Sequence, residues 1–233
     1  MPLRRAYLCS VRLLLLFCVL SPLWASAQQS ELETHRKTVI SQFLATPNSP
    51  IDSESVHGLS YFPGSDSFRF PTIILPLLDT TELAFPTSSG AVKVYRPYAK
   101  IIFQYEGSMH QLIAYESPLA SRNPFTKDRL FMPFWDDTNG FESYGGGRYL
   151  EISRKAVDAR SLTLDFNKAY NPWCAYSDEY SCPIPPPENR LAFSVLAGEA
   201  AFTVGAKDGR PTDGLAPAEP STIELLRAAT VHE

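Results

Sequence analysis

From Phe68 to Tyr115 the chain is a series of short apolar runs that alternate with polar residues and are cut by proline and glycine. Alternation with period two is the mark of a half-buried strand. Phe68 to Leu78 reads as edge strand, because Pro71 and Pro76 would break a central ladder. Leu83 to Phe85 and Ala91 to Tyr95 flank the turn Thr87-Ser88-Ser89-Gly90, and Pro97 is expected to interrupt the strand beyond Tyr95. Lys100 to Tyr105 and Gln111 to Tyr115 on either side of Glu106-Gly107-Ser108 form a hairpin signal. Leu130 to Trp135 is a dense apolar run, and further strands are expected at Arg148 to Ile152, Ser161 to Phe166 and Leu191 to Ala197, with a turn over Lys155 to Arg160. Ahead of them, Ser30 and Glu33 form a capping box for a helix over Ser30 to Phe43, which Pro47 and Pro50 close. The fold class is therefore mainly β, a single antiparallel barrel- or sandwich-like domain with a short N-terminal helix.

The two ends of the chain read differently. Arg4, Arg5 and Arg12 precede the apolar run Leu13 to Leu20, and Ala25-Ser26-Ala27 follows, the layout of a secretory signal peptide over 1–27. The β domain is expected over 28–206. Residues 207–233 are rich in glycine and proline and read as a loosely packed tail, with a short helix over Ser221 to Ala229. Export to the periplasm or beyond is the expected location.

Charge narrows the partners. The 233 residues carry a formal −4, and loss of the leader removes three more arginines. An acidic surface without a basic track argues against nucleic acid. The apolar leader run is too short to span a bilayer, so the processed chain is not expected to be integral to a membrane. A small molecule or a protein partner remains.

The unusual residues concentrate at Leu164–Asn189, LDFNKAYNPWCAYSDEYSCPIPPPEN, rich in proline and aromatic rings and carrying two cysteines. Proline excludes a helix here, and the apolar area of Phe166, Tyr170, Trp173 and Tyr176 argues against a free linker. The expected form is a rigid packed loop. Cys174 and Cys182 fit a disulfide in an oxidising compartment, two buried thiols, or part of a metal site of nonspecific spacing. No metal motif is present, because His35, His57, His110 and His232 are scattered. No GxSxG elbow, GxGxxG or Walker loop occurs, and no cofactor is implied.

The remaining chemistry lies where Gly145-Gly146-Gly147 precedes Arg148. Asp137, Glu142, Tyr144 and Arg148, with Asp165, Asn167, Tyr170, Glu188 and Glu199, are the expected lining of a polar-aromatic pocket walled by the long loop. Three functions compete: a ligand- or partner-binding domain, a carboxylate-dependent hydrolase-like enzyme, and a structural or assembly protein. Paired carboxylates can divide acid and base roles, provided that they converge on one substrate position.

These motifs also carry a resemblance. YFPG at Tyr61–Gly64, TSSG at Thr87–Gly90, FMPFWDDTNGFESYGGGRYLE at Phe131–Glu151, the run Leu164–Leu191 and AGEA at Ala197–Ala200 resemble the bacterial family catalogued as domain of unknown function 1684. The resemblance implies a predominantly β domain and supplies no activity, cofactor or catalytic residue. Where the family's motif ends Gly-Glu-Lys, this chain has Gly198-Glu199-Ala200.

Overall fold

A computed structural model describes residues 29–79 and 81–203, so the leader and the expected helix over Ser221 to Ala229 lie outside the described residues. The chain divides into two compact units, one ending at Thr46 and one beginning at Pro47. In the first, helix α1 covers 29–45, and Leu32 and Phe43 are its buried apolar positions. Among the described residues no helix is long and apolar enough to cross a membrane.

The second unit is mainly β. Strands β1 (Arg69–Pro71), β2 (Ile73–Pro76), β3 (Leu83–Pro86), β4 (Val92–Tyr105), β5 (Ser108–Glu116), β6 (Arg129–Phe134), β7 (Arg148–Ser153) and β8 (Thr163–Asp165) are joined by turns and by two short helices, α2 (Pro118–Arg122) and α3 (Arg154–Asp158). A six-stranded antiparallel sheet runs β2-β4-β5-β6-β7, with β3 added beside β4. A ribbon of β1 and β8 forms a second layer. Phe70 of the ribbon meets Phe103 of β4 at a centroid distance of 5.0 Å, and Phe166 lies 5.7 Å from Phe103. The arrangement is sandwich-like, with no closed barrel among the described residues.

Alternation along the strands sorts the core. Ala99, Ile101 and Phe103 of β4, Leu112 and Ala114 of β5, Leu130, Met132 and Phe134 of β6, and Leu150 and Ile152 of β7 face the ribbon. The opposite face carries an aromatic belt. Phe85 and Tyr115 are 4.9 Å apart, Tyr95 stacks on Phe131 at 5.0 Å, and Tyr149 meets Phe131 edge-on at 4.8 Å. The loop after β8 covers this belt, where the Tyr149 hydroxyl donates to the Pro183 carbonyl and the Ile184 N–H to Pro86.

Three elements depart from the pattern expected of the sequence. Pro97 does not interrupt a strand. β4 passes through it by a bulge, since Pro97 pairs with Tyr115 and Ala99 with Ala114, leaving Tyr98 as the extra residue. Lys155 to Arg160 is not simply a turn: Ser153 caps helix α3 by accepting from the Ala156 N–H, and Arg160 then turns with φ of 52°. Leu191 to Ala197 is no strand at all. Its backbone groups find partners outside any ladder, and the largest of these is Arg148.

Pro133 sits inside β6, where a missing N–H would leave β5 without a partner. The sheet separates there: β5 and β6 pair only at Tyr115 and Phe131. Asn189 fills the gap. Its amide donates to the carbonyls of Ile113 (2.8 Å) and Pro133 (2.7 Å) and accepts from the Ile113 N–H (2.7 Å). The end of the long loop thus stands in for two ladder bonds.

Candidate functional site

Arg148 opens β7 opposite Phe134, so its side chain enters the face that packs against the ribbon. It is wholly buried. Nη1 donates to the carbonyls of Ala197 (2.6 Å) and Glu199 (3.0 Å). Nη2 donates to the Val195 carbonyl (2.7 Å), to Asp136 Oδ2 (2.8 Å) and, at 3.4 Å, to Thr138. The rings of Phe62 and Phe134 each lie 5.5 Å from the guanidinium carbon. Three successive odd-numbered carbonyls of an extended segment are therefore held by one side chain, as a neighbouring strand would hold them.

Asp136 follows β6 closely and is equally enclosed. Its Oδ1 accepts from Thr138 N–H (2.9 Å), the Thr138 hydroxyl (2.5 Å) and Val195 N–H (3.2 Å). This is an Asx turn whose second oxygen faces the arginine. Charges this deep survive only when paired and hydrogen-bonded, and these are.

Glu199 lies on the far side of the same segment with 2 % exposure. Its carboxylate accepts from Asn171 N–H (2.7 Å), the Tyr176 hydroxyl (2.5 Å) and, at 3.5 Å, the Tyr61 hydroxyl. Burial raises its pKa, and the bonds from Tyr176 and Asn171 only partly offset that. Burial likewise pushes the Tyr176 hydroxyl well up, with Glu199 adding to it.

The other expected residues disperse. Asp165 caps the turn at Phe166–Lys168 through Asn167 N–H (3.1 Å) and lies 3.5 Å from Arg69 Nε. Asn167 uses its amide to pair with both backbone groups of Ser65 (2.9 and 2.8 Å). Tyr170 exchanges two backbone bonds with Tyr149 and is an aromatic lid on the belt. Glu188 accepts from the buried Tyr115 hydroxyl (2.9 Å). Tyr144 is half-buried, and Asp137 and Glu142 are exposed. The structure thus brings Arg148 and Glu199 onto one segment, and joins neither to Asp137, Glu188 or Asp165 by a side-chain bond. The buried network also takes in Asp136, Thr138, Asn171, Tyr176 and Tyr61, which residue type alone does not mark as pocket lining. Only Asp136 has a local signal, the Asx turn of Asp136-Asp137-Thr138-Asn139.

The long loop is tied down separately. Cys174 and Cys182 form a disulfide with a Cα separation of 6.1 Å. The loop so closed docks on the Thr87–Gly90 turn, where Ser88 N–H donates to the Cys182 carbonyl (3.0 Å) and Lys93 Nζ to Ser181 (2.8 Å). Among the described residues no group of three His, Cys, Asp or Glu is placed to hold a metal ion.

An open cleft of about 380 Å³ lies at the β4 bulge, and none of the nine expected pocket residues lines it. Leu77, Pro97 and Val157 supply apolar wall, and Arg96, Tyr98, Glu116, Asp158 and Arg160 supply polar groups. The Tyr98 hydroxyl donates to Asp158 Oδ1 (2.6 Å), while the Arg154 guanidinium lies 4.5 Å over the Tyr98 ring. Burial, then the bond to Asp158, raises the Tyr98 pKa. Arg154 also pairs with Glu116 (2.5 Å), and Arg96 with Glu82 (2.5 Å).

Comparison with known proteins agrees with this architecture. A solved solution structure, that of an uncharacterized protein of Haloarcula marismortui, is 33% identical over 76% of this chain and 95% of its own, with a TM-score of 0.57. Comparison with curated proteins gives no significant match. The family model described as "Protein of unknown function (DUF1684)" matches residues 54–200, which contain every strand among the described residues, and the chain belongs to that family.

Proposed function

We propose that the protein is an exported, non-catalytic domain that binds a small ligand in a polar-aromatic pocket, and that the pocket is the cleft at the β4 bulge. The observation that carries this reading is the cleft itself. Its volume of about 380 Å³ falls in the range of small-molecule sites, and it combines apolar wall with a few placed polar groups. Bulges that re-aim a side chain are enriched beside such sites, and Tyr98 is the bulged residue. The Arg148 network serves as scaffold, since both its terminal nitrogens are spent on the chain's own acceptors. Hydrolysis by paired carboxylates has less support: Glu199 is enclosed, Asp137 and Glu142 are exposed, and Glu188 is engaged with Tyr115. Export is supported by the disulfide, which persists in oxidising compartments.

The full chain, expressed with its leader, is expected in the extracytoplasmic fraction. A small-molecule screen by native mass spectrometry on that material, with hits mapped by amide shifts, is expected to perturb Leu77, Ala99 and Val157. Hits confined to the surroundings of Tyr61 and Tyr176, or no hits, would overturn the placement.

A further inference from the structure

The charges around the cleft do not all remain available. Arg96 is neutralised by Glu82 and Glu116 by Arg154, each pair at 2.5 Å. Two lining charges are left. Asp158 commits only Oδ1, to the neutral Tyr98 hydroxyl at 2.6 Å, which orients the carboxylate and leaves its charge in place. Arg160 has no ion pair or side-chain hydrogen bond with any described residue, although Asp158 is only two positions away. The backbone accounts for that separation. Asp158 is the last residue of α3, held by the Lys155–Ala159 bond, whereas Arg160 has left the helix with φ of 52°. Arg160 is the left-handed residue that closes the helix end, with its N–H on the Val157 carbonyl (3.0 Å) and the Ser161 N–H on the Ala156 carbonyl (2.9 Å). One negative and one positive charge, not paired with each other, therefore stand at a cleft whose apolar wall includes Leu77, Pro97 and Val157.

We propose, building on the cleft as binding site, that its ligand is a free amino acid with an aliphatic side chain. Its ammonium is held by Asp158, its carboxylate by Arg160, and its side chain by the Leu77, Pro97 and Val157 wall. A carboxylate matches the guanidinium fork and an ammonium the free carboxylate oxygen. Both groups are exposed to water, so a zwitterion is set apart from a singly charged ligand by gaining two charge-assisted contacts in place of one, and its apolar body by covering the wall.

The test is calorimetric titration of the intact processed protein with leucine, glycine, isocaproate and isoamylamine, with amide shifts recorded in parallel. Leucine is expected to bind about tenfold tighter than either singly charged analogue, and glycine more weakly than leucine. Asp158→Asn, which keeps the acceptor for Tyr98, is expected to weaken leucine several-fold and leave isocaproate unchanged. Arg160→Gln is expected to weaken both. Equal binding of leucine and isocaproate would overturn the zwitterion in favour of a simple anion. If none of the four binds while other screened molecules shift Leu77 and Val157, the ligand class falls and the cleft stands. If nothing shifts those amides, both fall.

Discussion

Arg148 shows how much one side chain can replace. Its guanidinium accepts nothing and donates in a planar fork, so it can meet several carbonyls at fixed spacing. Here it meets Val195, Ala197 and Glu199 together with Asp136. Lysine could not do this, having a single nitrogen on a flexible stem. Arg148→Met would strand the Asp136 carboxylate at zero exposure and free three carbonyls. Removing one partner of a buried pair costs about 3–5 kcal/mol. The expected result is a fall in the urea midpoint at unchanged slope, with Arg148→Lys recovering less than half of the loss. A change within about 1 kcal/mol, the scale of a surface substitution, would show that the network is not what holds 195–199.

Among the elements, the turn between β6 and β7 is the tightest fit. Gly147 has φ of 84°, and a Cβ there would lie 2.6 Å from Pro185 Cγ and 2.9 Å from the Phe134 carbonyl oxygen. The glycine run thus lets the prolines of the long loop close against β6. Gly107, in the β4–β5 turn, has φ of 79° with nothing within 4 Å of such a Cβ. The pair separates two effects. Gly107→Ala is expected to cost only the left-handed penalty, about 1–2 kcal/mol. Gly147→Ala carries the same penalty and a collision with backbone, so it should lose clearly more and shift the Pro185 resonances. Equal losses in thermal unfolding would mean that the loop yields freely.

For the molecule as a whole, Glu199 ties stability to pH. Its folded pKa stands above the ordinary 4.5, chiefly through burial. A raised folded value means that the native state holds the proton more tightly than the unfolded chain does. The contribution is therefore complete below pH 4.5 and is lost as pH rises through the folded value. Other carboxylates act the opposite way: hydrogen bonds from Ser55 lower Asp52, and those from Thr81 lower Asp79. The measurement that isolates Glu199 is the difference in unfolding free energy between wild type and Glu199→Gln. It is expected to move against the wild type as pH rises above 4.5, by at most about 1.4 kcal/mol per unit. A flat difference would place the folded pKa at its ordinary value.

The β class, the edge position of the Phe68 to Leu78 segment and the Glu106-Gly107 hairpin were legible because each depends on local periodicity and turn chemistry. The long loop was legible as a packed, irregular segment for the same reason, since proline and aromatic content act wherever the chain lies. Other features depended on partners remote in sequence. Leu191 to Ala197 has a strand's composition, yet its carbonyls bond a side chain some fifty residues earlier. Pro97 reads as a break, but a bulge against β5 carries the strand through it. Arg148 reads in the sequence as a neighbour of Asp137 and Glu142, and its actual partner Asp136 emerges only in the fold, because burial and pairing cannot be read from residue type. Asp158 and Arg160 sit in a stretch that reads locally as a turn, and become part of a cleft only when α3 packs beside the β4 bulge. Short-range preferences decide which elements form. Which polar groups are sealed in and which are left open is decided only when distant segments close over them.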